Sequence, residues 1–588
     1  MKKEPIRTRD FQIETYGQNV SVEITPLTAE DYLQTYKLSV DFPEKTIPRK
    51  IRISWAEPFI NVFGVWTPRN RFNRGMFLKF RNEGENTRFA YSAPVLCLVG
   101  KDNKNSCTFA LSDVAIPAFI GHGFDDQSRD VFCNLEIFTA LTQPISHYEA
   151  ILRIDSRDIT YDAAIRQTRQ WWDSLGYKSA YTPEAAKHAM FSTWYNYQKR
   201  INAEDLLEIC REAKEYGMNT IILDDGWQEE RTLHCYDLCG DWIPHPSKFP
   251  DMGDFVDKIH QMGMKVLLWY ALPMMGLEAE NYPKFLGKYL FVNEKSNIAY
   301  LDPRFADVRE HLIKLFVDAV KNWNLDGLKL DFIDAMTLKP ESPTNYEDMD
   351  IPSLEVAIEK LLTDIITTLQ KINPDIMIEF RQSYIGPGMQ QCANILRVAD
   401  CAGGALINRI GVIDLRLITD DSVAIHSDML VCNYDAPVEQ VAEQIVNILY
   451  SVPQISLDFT KMSDEQKKML KFYLKFVEDN KYILIDGKLI SLGVEAEYTQ
   501  AYAQAGDEVI DTAYSNPVFA MKEALSRLVI VNASGLQNIY VDNTLQEAEY
   551  NYEIVNCMGE ITEKGTVTLK NGATRFTVPR CGMVTLKK

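Results

Sequence analysis

Three aspartates interrupt a run of residues that otherwise reads as a buried strand. The stretch from 325 to 336 is LDGLKLDFIDAM and contains Asp326, Asp331 and Asp334. Burying an unpaired carboxylate is costly, so an acid in such a run is normally paired with a cation or used in a reaction. The stretch therefore marks a candidate site, in which at least one acid is expected to do chemistry.

Other apolar runs of the same kind also carry chargeable residues at or near their ends. One such acid is commonly a helix cap or half of a salt bridge, but acids in five of eight runs are too many for capping alone. In a parallel barrel, catalytic groups lie where strands end and loops begin. The candidates in these runs are Asp224, Asp225, Glu379, Arg381, Asp400, His426 and Asp428.

Tryptophans stand beside these acids, and the combination suits a sugar. Aromatic faces pack against the C–H faces of a sugar, while acids bind its hydroxyls, and paired carboxylates flanking an acetal carbon are the machinery of glycoside hydrolysis. The sequence has no GxSxG, P-loop or Rossmann glycine motif. The residues alone therefore favour a glycosidase. The tryptophans are Trp194, Trp227, Trp242 and Trp269.

The elements that must position these residues alternate between strand-like runs and amphipathic helices. A helix such as AEDLLEICREAKEYG ends on Gly217 in the manner of a C-cap. Eight strands alternating with helices predict a (β/α)8 TIM barrel. The eight runs are 189–197, 219–227, 265–273, 326–334, 375–383, 394–401, 423–430 and 453–459.

The residues on either side of the barrel have the rhythm of short strands and turns. Residues 1–182 predict an N-terminal β-sandwich that ends in a linker helix, YDAAIRQTRQWWDSLGY. Residues 183–485 are the predicted barrel. Strand signals return in 486–588, which predict a small C-terminal β-sandwich. The fold class is therefore multidomain, α/β and β.

Composition excludes some classes of partner. The 588 residues carry a net charge of −20, which argues against nucleic acid or an anionic membrane as the main partner. There is no apolar run long enough for a transmembrane helix and no signal-peptide h-region, and the 11 cysteines form no CxxC, so a cytoplasmic location is expected. His234, Cys235 and Cys239 lack the second pair that a zinc site needs, so no metal is expected.

Three motifs together resemble a known family. They are NTIILDDGWQEER, LCGDWIPHPSKFPDMGDFVDKIHQMGMKVLLWY and LKLDFID. They resemble the α-galactosidases of the melibiase type, glycoside hydrolase family 36 and its relatives. In that family a strand ends in DDGW, a GDW follows, a KFP…GM helix leads to the third strand, and the fourth strand carries Lys-x-Asp. The domain order matches too, so the resemblance spans most of the chain.

The resemblance implies two catalytic aspartates. The Lys-x-Asp match makes Asp331 the nucleophile and Lys329 its neighbour on the same strand face. An ammonium there would lower the pKa of Asp331 and keep it ionised. The aspartate that ends the sixth strand, Asp400, matches the family's general acid/base. Its rivals are Asp420, Asp421 and Asp428.

The same resemblance implies residues that bind the sugar. Asp224 and Asp225 of DDGW would bind hydroxyls, and Trp227 is either a sugar contact or core. Asp241 and Trp242 of GDW would lie near the same sugar, or be a loop cap and a packed aromatic. The remaining candidates are Trp194, Trp269, Lys329 and Arg381, with Glu379, Arg397, His426, Asp428 and Trp66 as a wider set.

The chain departs from the family after the fifth strand. It has EFRQSYIGPGMQQ where the family has a Cys-Ser-Gly-Gly-Gly-type stretch, so Arg381 and Gln382 replace small residues. Before Asp400 the family's tryptophan and serine are also absent, and residues 397–399 stand there. Arg381 is expected either to meet an acidic or substituted sugar or to orient Asp331.

The resulting hypothesis is a retaining α-glycosidase, with α-galactosidase as the first choice and no cofactor. Retention predicts carboxyl groups about 5–5.5 Å apart, and Asp400 is expected to have a raised pKa. The alternatives are an α-N-acetylgalactosaminidase or α-glucosidase, a raffinose-synthase-like transglycosylase, and a carbohydrate-binding relative without activity. The expected partner is a carbohydrate substrate, and a homo-oligomer is left open.

Overall fold

The computed structural model describes residues 9–588 apart from residues 31, 70, 71, 73, 76–82 and 126. Residues 1–8, on which part of the expectation about the start of the chain rests, lie outside the described residues. In the described part of the chain, no helix has both the length and the apolar character that crossing a membrane requires.

An eight-stranded barrel occupies the middle of the chain, between residues 190 and 455. The structure describes every residue from 127 to 588. Neighbouring strands pair in parallel, and bridges from His426 to Val452 and from Leu430 to Ile455 close the ring. Each of the eight predicted runs contains one strand, so the predicted barrel is confirmed. In chain order the strands are Met190–Ser192, Thr220–Leu223, Lys265–Ala271, Gly327–Asp331, Met377–Arg381, Ile395–Arg397, Ala424–His426 and Gln454–Ile455.

The barrel helices follow from apolar spacing and from their caps. The helix Ala203–Glu215 buries Leu206, Cys210 and Ala213, which lie three or four residues apart on one face. The Asn202 side chain accepts the N–H of Asp205 at its start. Within the described residues, the α-helices are Tyr161–Ser174, Trp194–Tyr197, Ala203–Glu215, Met252–Gln261, Ala306–Trp323, Leu354–Ile372, Pro387–Gln390, Ala405–Thr419, Val438–Val446, Asp464–Asp479 and Lys481–Leu484.

Two features interrupt the regular alternation. The loop after the third strand carries a small antiparallel sheet of Met274–Gly276, Tyr289–Asn293 and Ile298–Leu301. Between the fifth and sixth strands there is only the one-turn helix Pro387–Gln390. The fifth barrel strand is therefore followed by a loop rather than by a long helix.

Two antiparallel sheets precede the barrel and pack face to face. In Leu33–Thr46, alternate residues such as Leu38 and Val40 are buried in the core between the sheets. Within the described residues, one sheet contains Gln12–Glu14, Ile51–Pro58, Asp130–Ile137, Ala118–Asp125 and Glu83–Thr87, in spatial order. The other contains Ser21–Glu30, Leu33–Thr46, Ile145–Asp155, Asn105–Leu111, Val95–Gly100 and Val62–Trp66.

Two further sheets follow the barrel and enclose their own core, which includes Ile530, Val541 and Val584. The larger contains Lys488–Leu492, Gln500–Ala505, Glu508–Ala513, Arg527–Asn532, Met583–Lys587, Ala548–Val555 and Ile561–Leu569. The smaller contains Val518–Met521, Asn538–Asn543 and Gly572–Thr577. The fold class is thus as predicted, a barrel flanked by β-sandwiches, while the exact domain boundaries stay a prediction.

A buried ion pair joins all three parts of the chain. Arg74, from the N-terminal part, donates to both carboxylate oxygens of Asp414 on the barrel helix Ala405–Thr419, at 2.8 and 2.5 Å. The Tyr498 hydroxyl donates to the same carboxylate at 2.6 Å, and the Trp66 indole donates at 3.0 Å. Trp66, which belongs to the wider set of sugar-binding candidates, therefore contacts this buried ion pair.

Replacing Arg74 with methionine should destabilise the protein, because the buried Asp414 carboxylate would lose its cation. Breaking a buried ion pair costs about 3–5 kcal/mol. Urea or thermal unfolding of the purified variant measures the loss. Lys104→Met is the matched control, since its pair with Asp158 is exposed and is worth at most about 1 kcal/mol. Equal effects of the two substitutions would contradict a special role for the junction.

Candidate active site

The parallel strands bring the predicted acids to one rim of the barrel. Asp224 follows the second strand directly, Asp331 is the last residue of the fourth, and Arg381 is the last of the fifth. Asp400 follows the sixth strand and Asp428 the seventh. Since all strands point the same way, their carboxyl ends form a single face, where barrel enzymes carry their sites.

Asp331 is held by four hydrogen bonds at the centre of this face. Its Oδ1 accepts from Arg381 Nε at 2.7 Å, from the Phe332 N–H at 2.7 Å and from the Tyr384 hydroxyl at 3.2 Å. Its Oδ2 accepts from Trp269 Nε1 at 3.1 Å. Phe332 has a φ of +62°, which turns the chain at the strand end and directs its N–H at the carboxylate. The side chain is thus fixed before any ligand arrives.

These contacts keep Asp331 ionised. Burial by itself raises the pKa of this carboxyl, but Arg381, Lys329 and the Trp269 hydrogen bond outweigh burial and hold the pKa well below its usual range. An ionised carboxylate is the state that a nucleophile requires.

Lys329 lies close to Asp331 on the same strand but makes its direct contact elsewhere. Its Nζ donates to Asp224 Oδ2 at 2.5 Å. Burial lowers the pKa of Lys329, but Asp224 together with Glu379 and Asp331 raises it above its ordinary value, so the ammonium stays charged. Lys329 therefore connects the second and fourth strands, and it acts on Asp331 through its charge rather than through a hydrogen bond.

Asp225, the second acid of DDGW, has a different environment. It accepts from Gln228 Nε2 at 2.8 Å, and its other oxygen lies 3.2 Å from Lys199 Nζ. Burial raises its pKa to about 6, although Lys199 opposes the shift. Asp224 and Asp225 are thus both buried beside a lysine.

Asp400 is the most open of the acids, with its side chain 57% exposed. Its Oδ1 accepts from Arg397 Nη2 at 2.8 Å. Partial burial raises the pKa of Asp400, but Arg397, Arg381 and Lys329 lower it below its ordinary value. The expected raised pKa is therefore wrong for the free site, because the sequence did not reveal that Arg397 would pair with this carboxylate.

The other acids considered for the role of Asp400 are each engaged in hydrogen bonds or ion pairs of their own. Asp428 is fully buried and accepts from Tyr195, at 2.8 Å, and from the Cys401 N–H, at 2.7 Å, as well as from Arg397. Asp420 and Asp421 precede the seventh strand, at the opposite end of the barrel. There both pair with the linker-helix residue Arg166, at 2.8 and 2.7 Å.

Glu379 and His426 lie inside the barrel, below the rim. Glu379 accepts from Gln454 Nε2 at 2.6 Å and is 3.5 Å from Arg397 Nε. Burial raises the pKa of Glu379. His426 bonds the Ala186 carbonyl at 2.8 Å, and burial lowers its pKa to about 4, so its ring is neutral. The two support the rim residues from underneath.

Three of the predicted tryptophans, Trp227, Trp242 and Trp269, are buried, and Trp194 is half-buried. Trp269 contacts Asp331 directly, and Trp194 packs near His234 at a centroid distance of 5.3 Å. Trp227 and Trp242 are buried against each other at 5.9 Å. The Trp227 indole donates to the Trp269 carbonyl at 3.1 Å. These two buried rings therefore back Trp269.

Asp241 is held in a loop. Its carboxylate accepts from the Glu280 N–H at 2.6 Å, and from the Asn281 N–H and side-chain amide at 3.0 and 2.8 Å. These bonds fasten the loop after the second strand to the loop after the third. These contacts are those of a loop cap, which was one of the two roles predicted for Asp241.

Several residues at the site were not predicted. Tyr236 lies between Trp269 and Phe332, with ring centroids 6.1 and 5.2 Å away. Burial and the nearby acids Asp225, Asp331 and Asp224 raise the pKa of Tyr236. The others are Lys199, Tyr195, Phe332 and Tyr384. They follow barrel strands, Tyr195 in the one-turn helix Trp194–Tyr197 and the others in loops, where spacing gives no signal.

The aspartates at either end of the opening stretch have supporting contacts. Asp326, at the start of the fourth strand, accepts from Lys265 Nζ and from the Val266 N–H, each at 2.9 Å. Asp334 lies past the strand end, where burial raises its pKa although Arg381 opposes this. Of the three acids, Asp331 is the one held at the centre of the rim.

The unusual stretch after the fifth strand contacts the N-terminal sandwich. Gln382 donates to the Pro68 carbonyl at 3.2 Å and accepts from the Ala399 N–H at 3.3 Å, so it faces away from the pocket. A Cβ on Gly388 would lie 2.4 Å from the Phe89 ring. The glycines of this stretch thus allow the barrel to pack closely against the N-terminal sandwich. Arg381 is the residue of this stretch that contacts Asp331.

Curated relatives of similar sequence are α-galactosidases. The chain is 27% identical over 197 residues to alpha-galactosidase 2 of Pediococcus pentosaceus, which covers 32% of this chain and 27% of that protein. It is 29% identical over 154 residues to alpha-galactosidase AgaA of Geobacillus stearothermophilus, which covers 25% and 21%. The matches therefore span about a quarter of the relatives' lengths.

Solved structures are similar over nearly the whole chain. The GH36 α-galactosidase AgaA of Geobacillus stearothermophilus in complex with stachyose aligns with a TM-score of 0.63 at 16% identity, covering 97% of this chain and 81% of that one. The α-galactosidase from Lactobacillus brevis aligns with a TM-score of 0.63 at 14% identity, covering 99% and 85%. At these identities the likeness shows a shared fold.

The matching family model covers the site itself. Residues 177–487, just over half of the chain, match the melibiase model and include the eight barrel strands and every rim residue described above. The predicted resemblance is confirmed, and the chain belongs to the melibiase family.

Proposed function

We propose that the protein is a retaining α-glycosidase that removes terminal α-linked galactose from oligosaccharides or glycoconjugates. The observation that carries the proposal is the pair of unlike carboxylates on one rim. Asp331 is buried, fixed and ionised, and Asp400 is open to solvent after the sixth strand, two strands away from that of Asp331. The α-galactosidases among the relatives support galactose as the sugar.

In the first step, Asp331 attacks the anomeric carbon and the bond to the leaving oxygen breaks. Asp400 gives its proton to that oxygen. The exposure of Asp400 suits this role, because the leaving group must occupy the solvent side of the site.

In the second step, Asp400 removes a proton from water, and the water oxygen attacks the anomeric carbon from the side that the leaving group vacated. The bond to Asp331 breaks, and its electron pair returns to the carboxylate. Asp224 and Asp225 bind sugar hydroxyls in this proposal, and the half-buried Tyr236 packs against the sugar ring.

Replacing Asp331 with alanine should abolish turnover while leaving sugar binding. With a panel of aryl α-glycosides, the wild type should hydrolyse the α-galactoside, and Asp331→Ala should be at least about 10⁴-fold slower because the covalent route is lost. Release of the aryl group measures both rates. Asp326→Asn is the matched control, since this acid lies at the other end of the same strand and should keep its turnover.

Other outcomes of this panel would change the proposal. Hydrolysis of an α-glucoside or α-N-acetylgalactosaminide, but not of the α-galactoside, would contradict the choice of sugar. Transfer to a sugar acceptor in place of release would identify a transglycosylase. Turnover by Asp331→Ala at the wild-type rate would refute the nucleophile.

The wild-type pH profile should depend on the leaving group. A general acid works only when it is protonated. In the free site, Arg397 is the main group that lowers the pKa of Asp400, and burial opposes this shift. For a galactosyl disaccharide, kcat/KM should therefore already decline at pH 4 and continue to fall as the pH rises to 8. An aryl galactoside with an acidic phenol needs little proton donation and should show a flatter profile. Steady-state kinetics from pH 4 to 8 measure both, and identical profiles would exclude Asp400 as the acid.

A further inference from the structure

Arg381 occupies a position at which the resembling family has a small residue, and it contacts the proposed nucleophile. Its Nε donates to Asp331 Oδ1 at 2.7 Å, and its Nη1 donates to the Gln382 carbonyl at 3.1 Å. The guanidinium lies over the rings of Phe332 and Tyr384, at 5.6 and 5.5 Å from their centroids. It is therefore held in one orientation rather than extended into solvent.

The two oxygens of Asp331 are unequally bonded. Oδ1 accepts from Arg381, from the Phe332 N–H and from the Tyr384 hydroxyl. Among the described residues, Oδ2 accepts one hydrogen bond, from Trp269. Hydrogen bonds to an oxygen use its lone pairs and draw charge toward it, so Oδ2 keeps the lone pair that is available for attack.

The surroundings of Arg381 argue against an anionic sugar. Three carboxylates, on Asp331, Asp334 and Asp400, raise the pKa of Arg381 against the effect of burial. The cation is therefore already surrounded by negative charge. A carboxylate or sulfate on the substrate would compete with these acids and be repelled by them, which favours a neutral sugar in the site.

We propose that Arg381 is a positioning residue that directs Asp331 Oδ2 to the anomeric carbon and accelerates release of the sugar from the Asp331 ester. The proposal rests on the proposed retaining function. It assigns Arg381 a part in the second step, which the residue performs through Asp331 and without touching the sugar.

The reason lies in what each step does to the charge on Asp331. In the first step Oδ2 bonds to the anomeric carbon, the carboxylate loses its charge, and the Asp400 proton goes to the leaving oxygen. In the second step water bonds to that carbon, its proton goes to Asp400, and the electron pair of the breaking bond returns to Asp331. The donors on Oδ1 stabilise the carboxylate, so they make it a weaker nucleophile but a better leaving group.

The N-terminal sandwich supports this geometry from outside the barrel. Arg88 donates to the carbonyls of Asp334 and Met336, in the loop after the fourth strand. The Ser92 N–H donates to the Ser383 carbonyl at 2.7 Å, in the loop after the fifth. Both loops that flank the Arg381–Asp331 contact are thus tied to the same domain, and the contact keeps its geometry when the charge of Asp331 changes.

The test compares wild type with Arg381→Met on an aryl α-galactoside with an acidic phenol, for which the first step is fast. Loss of one charge-assisted hydrogen bond should slow the second step about 10- to 100-fold. Both kcat and KM should fall by that factor, kcat/KM should change far less, and a burst of phenol should precede the steady state. Mass spectrometry of the acid-quenched variant should show one added hexosyl group on the peptide that contains Asp331.

Two further variants control the test. Arg166→Met also removes a buried arginine that pairs with two aspartates, but at the opposite end of the barrel, and it should leave kcat and KM unchanged. Tyr384→Phe removes a neutral donor from the same Oδ1, so it should accumulate the ester to a smaller extent. If Arg381→Met does not fold, Arg381→Lys, which keeps the charge but lacks the Nε donor to Oδ1, takes its place and should lower kcat and KM together.

The outcomes separate this proposal from the proposed function. Equal losses in kcat and kcat/KM without an ester would show that Arg381 serves the first step only, and would overturn the inference. A raised KM with unchanged kcat would show a sugar contact and would overturn it too. A wild type that releases no sugar from the α-galactoside would instead refute the proposed function.

Discussion

The site depends on the compensation of buried carboxylates by buried cations at one end of the barrel. Lys329 pairs with Asp224, Arg381 with Asp331, and Arg397 with both Asp428 and Asp400. A buried ion pair adds little net stability, because desolvation of both charges offsets their attraction. Four such pairs close together are therefore better explained by a role in the chemistry of the site than by a contribution to the stability of the fold.

The pairs set different protonation states within a small volume. Asp331 has two cations and an indole N–H near it, and its pKa is depressed. For Asp225, burial outweighs Lys199, and its pKa rises to about 6. Asp428 is buried with one arginine, and burial raises its pKa. Environment, rather than residue type, thus separates a permanently ionised acid from acids that can hold a proton.

The fold and the membership of the rim could be read from the sequence, but the pairing could not. Eight apolar runs give the strands, and acids at their ends give the rim. Lys329 was expected beside Asp331, but its ammonium contacts Asp224 on the second strand, because partners across strands depend on the register of the closed barrel. The pairing of Arg397 with Asp400, three residues later in the same segment, was not predicted because no periodicity specifies the path of the loop after the sixth strand. Tyr384 lies in a loop, whose path no periodicity specifies.

The stretch EFRQSYIGPG shows how a change at the site and a change between domains are connected. Arg381 is large and charged. At the rim it packs against the rings of Phe332 and Tyr384 and pairs with Asp331. Gly386 and Gly388, a few residues later, let the chain lie against Ser92 and Phe89, where a Cβ would come within 2.4 Å of each. The same short loop therefore supplies a cation to Asp331 and docks the N-terminal sandwich. Because one side of the loop is fixed by that domain, the other side can hold Arg381 in the single orientation that keeps Asp331 Oδ1 engaged.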